Sequence, residues 1–393
     1  MPYVIVVLGV AVFAQGTSEF MLSGLIEPIA AEVGVSLGAA GLLTSLFAVG
    51  MLVGAPLTAM AAGRWPARFA LTGCLAMFLA AHVIGAVTTT FGILLATRVV
   101  AAVANAGFLA VALAVLPILV GPHRVGRATS VILSGVTLAC VVGVPAGAFL
   151  GQLLGWRSAF WAVVIVSVPA LVGIWLLVPN SPSSAEQTGS LWSEWRALGL
   201  RRVRSALMLG GAVNAATFAA FTYLGVLTTD IGEPAWTPMV LALFGIGSFV
   251  GVTLAGRYAD RYAPIIRTAG SVVLLGVWIT AALTAGSLPA LLIMAMICGA
   301  TSFAVGSTVI ALIISAASPT APHLSGAFAT TAFNVGAALG PATAGLAISA
   351  TQSTTAALWT STVFAAAALF ITTITRRSRP RALSPGRETS PRR

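Results

Sequence analysis

Apolar runs of about twenty residues recur along the whole chain and constrain its fold more than any other feature. A helix needs about 20 residues to span a hydrocarbon core of about 30 Å at 1.5 Å per residue. Twelve such runs can be placed, at residues 3–26, 39–62, 69–90, 91–118, 128–153, 158–178, 203–229, 237–258, 268–286, 289–316, 325–350 and 354–375. With 58% hydrophobic residues, 7% charged residues and a mean hydropathy of +1.02, the chain lacks the charge that a soluble surface needs. The sequence predicts an all-α polytopic membrane protein with twelve transmembrane helices.

A polar segment, residues 179–202, separates the first six runs from the last six. It predicts an N-terminal six-helix bundle over 1–178, a cytoplasmic linker over 179–202, a C-terminal six-helix bundle over 203–375 and a basic tail over 376–393. The tail is rich in Pro and Ser, and we expect it to be disordered. The linker is compatible with a short interfacial helix or with a flexible tether, because its apolar residues have helical spacing. These residues are Leu191, Trp192, Trp195 and Leu198.

The arginines predict the orientation in the membrane. All twenty basic residues are Arg, and eighteen of them lie in loops on one side or in the tail. They are Arg64, Arg68, Arg124, Arg127, Arg196, Arg201, Arg202, Arg204, Arg257, Arg261, Arg267, Arg376, Arg377, Arg379, Arg381, Arg387, Arg392 and Arg393. The positive-inside rule then places both termini in the cytoplasm. Arg98 lies inside the fourth run and Arg157 in an outer loop, and the net charge of +11 reflects topology rather than nucleic-acid binding.

The chain lacks residues that several other classes of membrane protein require. Without lysine it cannot be a Walker A ATPase, form a retinal Schiff base or bind a cofactor through lysine. Three cysteines and three histidines are scattered, so we expect no metal site, no cofactor and no enzymatic activity. For His82, alone in the third run, a packed or pore-facing neutral histidine is favoured over a proton relay.

Two charged residues lie inside apolar runs. Glu19 occurs in FAQGTSEFMLSGL at 13–25, about seven residues before the outer end of the first run, and Arg98 follows the outer start of the fourth by about seven. A charge at the centre of a membrane helix costs about 2.5–3.5 kcal/mol, so both are predicted to face a shared cavity and to interact. A carboxyl whose protonation depends on burial and on a nearby cation can couple to protons. A static ion pair that fixes helix packing is the alternative.

Further polar residues share helix faces with these charges. Gln15, Glu19 and Ser23 have i, i+4, i+8 spacing, and Asn105 follows Arg98 by seven residues. The sequence therefore predicts a polar face on the first helix and another on the fourth.

Small residues and a proline recur in the fifth and eleventh runs. The fifth contains Gly135, Gly143, Pro145, Gly147 and Gly151, whose spacing favours close helix packing and a bend. Similar spacing in the eleventh run, at the equivalent place of the second half, indicates an internal repeat. Its residues are Gly336, Gly340, Pro341 and Gly345.

These features together resemble the major facilitator superfamily. The resemblance rests on twelve runs with a central break, on FAQGTSEFMLSGL, on Arg98 and on the glycine-proline stretch that ends in GWR at 155–157, and it covers residues 1–375. Within the superfamily the chain is most similar to the twelve-span bacterial drug:proton antiporters, in particular the actinobacterial chloramphenicol exporters.

The resemblance implies roles for individual residues. Arg98 takes the position of the arginine linked to proton transfer, and Glu19 that of the membrane carboxylate. Gly135, Gly143, Pro145, Gly147 and Gly151 correspond to the antiporter motif. The cytoplasmic gate motif has Gly63 before Arg64, where the family has an acid, whereas its second copy retains the acid. The second copy comprises Gly256, Asp260 and Arg261.

In the facilitator architecture, helices one, four, seven and ten face the cavity. The residues this nominates for substrate binding are Gln15, Asn105, Asn214, Phe218, Tyr223 and Met294, with Asn334 in the eleventh run as a further candidate. For each aromatic residue and for Met294, ordinary core packing is the alternative. Few charges, aromatic faces and scattered amides suit a neutral amphipathic molecule such as chloramphenicol.

The sequence therefore predicts proton-coupled drug efflux by alternating access. The protein is expected in the bacterial inner membrane as a monomer, with a small molecule, protons and lipid as partners and no nucleic acid. An exporter or facilitator of a metabolite such as a sugar is the alternative, and a membrane-embedded enzyme or sensor a third. The small polar inventory of the runs favours the drug exporter.

Overall fold

A computed structural model of the protein describes residues 3–61, 65–180, 194–321 and 324–377. Within these ranges the regular structure is helical and contains no strand. A bilayer core contains no water to bind the backbone N–H and C=O groups. Each run therefore forms a helix, in which these groups bond to one another.

Eight α-helices form the first half. They are α1 (Tyr3–Phe20), α2 (Ile26–Val33), α3 (Leu37–Ala61), α4 (Ala67–Val87), α5 (Phe91–Val120), α6 (Val125–Leu138), α7 (Val144–Leu154) and α8 (Arg157–Leu177). A 3-10 turn at Met21–Gly24 links α1 to α2, and another at Pro122–Arg124 precedes α6. A π-helical turn at Ala139–Gly143 joins α6 to α7.

Six α-helices form the second half. They are α9 (Arg201–Phe221), α10 (Leu224–Asp230), α11 (Thr237–Thr284), α12 (Leu288–Ala317), α13 (Ser325–Thr351) and α14 (Ala356–Arg377). Short 3-10 helices at Trp195–Gly199 and Pro234–Trp236 precede α9 and α11.

Eleven helical segments of the described chain are long and apolar enough to cross a membrane. They are Tyr3–Gly24, Leu37–Gly54, Ala67–Val87, Phe91–Val120, Arg127–Leu154, Arg157–Leu177, Arg201–Asp230, Pro234–Arg257, Leu288–Ala317, Ser325–Thr351 and Ala356–Thr375. Each overlaps one of the predicted runs, and the remaining run, 268–286, corresponds to a shorter apolar helix at Thr268–Thr284. The many-span membrane architecture is therefore confirmed.

The eighth and ninth predicted runs lie in one continuous helix, α11, whereas the sequence predicted a cytoplasmic loop between them. Charged residues suggested the loop, but the backbone is helical through this stretch even though it contains Pro264. Helical backbone is compatible with such a stretch, because charged residues are ordinary helix formers. That prediction was wrong for the backbone.

Two hydrophobic cores follow the two halves. The first is built around large buried side chains such as Phe78, Phe108 and Trp156, and the second around Trp278 and Phe328. The cores meet where a few residues of one half pack into the other. They include Tyr223, Ala344 and Ile348 in the first core and Ala48, Val144 and Ala148 in the second.

Large apolar side chains also cover the outside of the helices. Leu154, Leu176, Leu283, Leu346 and Phe370 are each 65% exposed or more. Such residues on every side would be unfavourable in water and favourable against lipid tails. The outer surface therefore matches the membrane location.

Candidate functional site

The buried Arg98 guanidinium is bound by Ser18. Arg98 is 1% exposed on α5, its Nη1 donates to the Ser18 Oγ at 2.8 Å and its Nη2 donates to the Ser18 carbonyl oxygen at 2.7 Å. Its carbon Cζ lies 4.4 Å from the centre of the Phe47 ring on α3. Its Nε has no hydrogen-bond partner among the described residues. The cation is thus held by a hydroxyl, a carbonyl and an aromatic face.

His82 on α4 completes this arrangement. Its Nε2 lies 2.6 Å from the Ser18 Oγ, and its Nδ1 lies 2.8 Å from the Phe78 carbonyl oxygen. A carbonyl only accepts, so Nδ1 carries the proton and the Nε2 lone pair accepts from Ser18. The ring packs against Phe78 at 4.1 Å and Phe160 at 5.7 Å between centroids. Of the readings open from sequence, a packed neutral histidine matches this geometry.

Glu19 directly follows Ser18 but is half-buried on another side of α1. It interacts electrostatically with Arg98 and with Cys140 in the π-helical turn. No ion pair within 4 Å joins Glu19 to Arg98 in the described part of the chain. Glu19 and Arg98 are thus near enough to interact electrostatically without forming a direct pair, and the Nη groups of Arg98 donate to Ser18 instead.

The predicted polar face of α1 ends earlier than expected. Gln15 is 1% exposed, and neither its amide nitrogen nor its amide oxygen has a partner among the described residues. The α-helix stops at Phe20, and Ser23 lies in the following 3-10 turn, where its hydroxyl donates to the Phe20 carbonyl at 2.8 Å. Since the turn changes the rotation per residue, Ser23 does not continue the i, i+4, i+8 face.

Five phenylalanines surround a small cavity between the two halves. They are Phe20, Phe218, Phe221, Phe244 and Phe303, with Cys140, Thr217 and Gly245 completing the lining. Neighbouring ring centroids lie 4.8 to 6.3 Å apart, within the range of favourable aromatic contacts. Phe20 brings the cavity next to Glu19, and Cys140 brings it next to the π-helical turn. We call this the phenylalanine cavity.

Sequence reasoning found only Phe218 of these aromatic residues. Phe218 and Phe221 share a face of α9, and Phe20 adjoins Glu19, so their spacing carried some signal. Phe244 and Phe303 lie on α11 and α12, and their ring contact at 6.3 Å depends on how those helices pack.

Six of the predicted substrate residues lie outside the described lining of the cavity. Asn105 is buried on α5, and Met294 is half-buried against the second core. Asn214 Nδ2 donates to the Phe333 carbonyl at 2.6 Å, and Asn334 Nδ2 donates to the Thr330 carbonyl at 3.0 Å. Gln15 and Tyr223 complete the set.

Tyr223 is fully buried where α9 approaches α3 and α13. Its hydroxyl donates to the Pro341 carbonyl at 3.1 Å and lies against Gly41 and Gly345. A Cβ at either position would collide with the Tyr223 hydroxyl, so only glycine leaves room for the tyrosine. This geometry matches core packing, which was the alternative to substrate binding for Tyr223.

The glycines of the predicted antiporter motif face α1 and the turn that follows it. A Cβ added to Gly135, Gly143 or Gly151 would collide with Gly9, Thr17 or Leu25 respectively. One at Gly147 would lie 3.3 Å from the Met21 Cβ. The contact positions advance together along both helices, so the two run parallel at close range.

A π-helical turn precedes Pro145, where the sequence predicted a bend. The Val144 N–H donates to the Ala139 carbonyl, five residues back, immediately before the proline. A wider turn accommodates the hydrogen bond that Pro145 cannot donate. Gly245 on α11 packs against the Cys140 carbonyl, so the turn contacts the second half too.

The eleventh run repeats this packing in the second half. Cβ atoms at Gly336 and Gly340 would collide with the backbone of α9 at Gly211 and Ala215. The contact positions advance in the same direction along both helices, so α9 and α13 are parallel, as are α1 and the α6–α7 segment. The structure thus repeats the glycine-lined pair that the sequence indicated.

The predicted cytoplasmic gate lies mostly outside the described residues. Arg64 is not described, and of Asp260 and Arg261 only the helical backbone of α11 is. Gly256 is exposed, with nothing within 4 Å of an added Cβ. The gate stays a prediction.

A second polar cluster, missed by the sequence, lies between α2 and the start of α8. Trp156 Nε1 donates to Glu32 Oε2 at 2.8 Å, and Arg157 forms an ion pair with Glu32 Oε1. Arg157 also donates to the Thr88 carbonyl at 3.0 Å and stacks 4.3 Å from the Trp156 ring. The hydrogen bond from Arg157 is the main cause that lowers the pKa of the Glu32 carboxyl, with Trp156 acting in the same direction against the effect of burial.

The end of the linker packs against the second half. Glu194 Oε2 accepts from the Leu324 N–H at 3.0 Å, at the start of α13, and the Trp195 ring contacts Phe328 at 5.9 Å. A carboxylate there is favourable because helix N-termini carry partial positive charge. Leu191 and Trp192 lie outside the described residues, so both readings of the remaining linker stay open.

The described residues contain no cluster of three or more His, Cys, Asp or Glu that could hold a metal ion. Glu19, His82 and Arg98 are grouped around one turn of α1.

Comparisons with known proteins agree with this architecture. The family model described as Major Facilitator Superfamily matches residues 8–341. The chain is 48% identical over 377 residues to a chloramphenicol resistance protein of Streptomyces lividans, covering 94% of this chain and 95% of that one. It is 31% identical over 350 residues to the inner membrane transport protein YdhP of Escherichia coli, covering 88% and 89%.

Solved structures show the same fold. A bacterial homologue of the human lysosomal transporter Spinster, in an inward-facing and unoccupied conformation, superposes with a TM-score of 0.78 over 95% of this chain and 96% of that one, at 18% identity. The nucleoside transporter NupG gives a TM-score of 0.75 over 95% and 98%, at 12% identity. By its family match, its relatives and its fold, the chain belongs to the Major Facilitator Superfamily of membrane transporters.

Proposed function

We propose that the protein exports a small amphipathic drug, chloramphenicol or a similar compound, in exchange for protons. The observation that carries the proposal is the adjacency of Ser18, Glu19 and Phe20 on α1. One residue binds Arg98, the next presents a carboxylate, and the third lines the phenylalanine cavity. The 48% identity to a protein named for chloramphenicol resistance supports the choice of drug.

Glu19 is the proton carrier in this proposal, and Arg98 adjusts its electrostatic surroundings. A carboxyl can exchange protons when no cation holds it as a fixed ion pair. No such pair within 4 Å is found for Glu19 and Arg98 in the described residues, which favours coupling over the static pair. The cavity has room for about one water molecule in this state, so a drug enters only when the phenylalanines move apart. Because Phe20 follows Glu19, such a movement changes the access of water to the carboxyl.

The phenylalanine cavity favours a neutral molecule with an aromatic or aliphatic part. Its described lining contains no charged side chain, and its one hydroxyl, of Thr217, already donates to the Val213 carbonyl at 2.9 Å. Sugars require several polar partners, because unpaired hydroxyls are costly to bury. Chloramphenicol has a nitrophenyl ring that can pack against the phenylalanines, and it carries fewer hydroxyls than a sugar, so it matches the lining better.

Alternating access would proceed by rocking of two six-helix bundles, 1–178 and 203–375, in the bacterial inner membrane. The twelve-span count, the cytoplasmic termini, the linker 179–202, the tail 376–393 and the monomeric state are parts of this proposal. Gly38 packs on Gly345, and Gln152 Nε2 donates to the Pro234 carbonyl at 2.5 Å. These contacts between halves lie opposite the arginine-rich loops, which favours a state closed on the outside.

The glycine-lined helix pairs supply the moving surfaces. The π-helical turn contacts α1 on one side and α11 on the other, so a change at this turn reaches both halves. Arg64, Gly256, Asp260 and Arg261 would form the cytoplasmic gate that closes in the opposite state.

The decisive experiment replaces Glu19 in a bacterium that lacks other drug pumps. We expect Glu19→Gln to reduce chloramphenicol transport driven by a pH gradient in everted vesicles to the level of empty vesicles. Glu19→Asp should retain part of it. Glu27→Gln, a carboxylate in α2 outside the spans, is the matched control and should transport normally.

Wild-type rates in Glu19→Gln would exclude the coupling role. A protonophore must abolish wild-type transport if protons drive it. A drug panel without any protected growth, together with sugar efflux from the same cells, would favour the metabolite exporter.

A further inference from the structure

The partner of Arg98 is unusual for a buried cation with a carboxylate nearby. A desolvated guanidinium is normally stabilised by an ion pair, since burial of an unpaired charge is costly. Here both Nη groups donate to Ser18, and Glu19, the next residue, stays outside ion-pair distance. Some other interaction must make Ser18 the better acceptor.

His82 supplies that interaction. A serine hydroxyl has one hydrogen, and it accepts well from a cation when that hydrogen is directed elsewhere. The His82 Nε2 lone pair, 2.6 Å away, takes it, and the Phe78 carbonyl fixes the histidine tautomer through Nδ1 at 2.8 Å. The donors therefore form one ordered chain from Arg98 through Ser18 to His82, and such chains strengthen each bond.

The surroundings fix the histidine ring. His82 is 1% exposed and packs between Phe78 and Phe160, and Gly85, one turn further along α4, lies against the Phe160 ring. The other titratable groups near this chain are Glu19 and, beyond it, Cys140. Among the described contacts no hydrogen bond or ion pair joins His82 to Glu19, and His82 is not part of the described lining of the phenylalanine cavity.

We propose that His82 is a positioning residue for proton coupling, which through Ser18 holds the Arg98 guanidinium away from Glu19. The carboxylate is left unpaired and open to protons. Loss of the Nε2 acceptor lets the Ser18 hydroxyl rotate, and Arg98 then pairs with Glu19 and fixes its charge. The inference rests on the proposed role of Glu19 and adds to it a residue on a third helix.

The test separates coupling from folding by comparing two transport modes in proteoliposomes with radiolabelled chloramphenicol. Efflux driven by a pH gradient requires proton movement, whereas exchange of internal for external drug at equal pH does not. We expect His82→Phe to lose up to about tenfold in driven efflux, the size expected when one buried hydrogen bond is lost. Exchange should stay near the wild-type rate.

His82→Gln is the matched control, because its amide oxygen can accept from Ser18 where Nε2 did. It should restore most of the driven efflux, which a merely space-filling role would not predict. Loss of both transport modes in His82→Phe and His82→Gln alike would overturn the proposal in favour of a structural role. Unchanged driven efflux in His82→Phe would overturn it as well.

A structure of His82→Phe distinguishes this inference from the proposed function. We expect an Arg98–Glu19 ion pair within 4 Å. Arg98 still on Ser18 would overturn the role of His82 and leave that of Glu19 untouched. An Arg98–Glu19 pair with normal driven efflux would contradict the role of Glu19 itself, and with it this inference.

Discussion

Arg98 and Arg157 are the two arginines outside the predicted cytoplasmic loops and tail, and the protein treats them in opposite ways. Arg157 is partly exposed at 27%, pairs with the Glu32 carboxylate, and stacks on Trp156. Arg98 is almost fully buried, stacks on Phe47, and donates to Ser18 although Glu19 is adjacent. Both cations have an aromatic face, but only the exposed one has a carboxylate partner in the described structure.

The difference supports the proposal that Arg98 acts in proton coupling, whereas Arg157 has a structural contact. An exposed ion pair contributes about 0.2–1 kcal/mol, so Arg157 holds α2 against α8 without great effect on stability. A buried cation without a carboxylate depends on every remaining hydrogen bond. This arrangement has a functional advantage if the neighbouring carboxylate, Glu19, must be able to gain and lose a proton.

We expect the largest effect on transport when the buried arginine, Arg98, is replaced. Arg98→Ala removes two hydrogen bonds from a charged donor, each worth about 1.5–3 kcal/mol. We expect driven chloramphenicol efflux to fall about a hundredfold or more, measured in everted vesicles at matched protein levels. Arg157→Ala should keep at least about half of the rate, since exposed pairs contribute little. Equal losses in the two variants would remove the distinction.

We expect a smaller effect, on stability, when the aromatic ring that faces Arg98 is replaced. Phe47→Leu removes the ring above Arg98, and a desolvated cation–π contact contributes about 2 kcal/mol. Phe108→Leu is the control, because Phe108 is equally buried and has no cation over its ring among the described contacts. Thermal unfolding in detergent should show Phe47→Leu as the less stable variant by about 1–2 kcal/mol. Similar stabilities would mean that the ring only fills space.

The smallest effect concerns Glu32 and pH. Its pKa is lowered in the folded protein, mainly by the Arg157 hydrogen bond, so the stabilisation is present above the usual carboxyl pKa and is lost as pH falls through the folded value. We expect Glu32→Gln to lower stability by about 0.5 kcal/mol at pH 7. The difference from wild type should vanish in acid. A difference that persists there would show that Trp156 or packing, rather than charge, carries the contact.

Several features of the site could be predicted because they depend on short stretches of sequence. Glu19 and Arg98 are charges in apolar runs, and counting residues from the run ends placed both at similar depth. The glycines of the fifth run have helical spacing, which predicted a close partner, and Pro145 predicted a bend. That the partner is α1 and that a π-helical turn precedes Pro145 depended on contacts between distant segments.

Other features had no local signal. The hydrogen bond from Arg98 to Ser18 joins residues 80 positions apart, and that of Ser18 with His82 joins residues 64 apart. Equal depth does not specify how far each helix is rotated about its axis, and a rotation of one residue exchanges Ser18 for Glu19. For the same reason Phe244 and Phe303 could not be assigned to the cavity.

Hydropathy and charge along the chain are enough to predict a helical membrane protein of many spans and to identify the charges that are unusual in it. Hydrophobicity and charge act residue by residue against water and lipid, so their pattern can be read along the chain. Only the tertiary structure decided that Arg98 donates to Ser18 rather than to Glu19, and that five phenylalanines from three helices and the end of a fourth meet in one cavity. Those outcomes depend on helix rotation and packing, which many weak contacts set together.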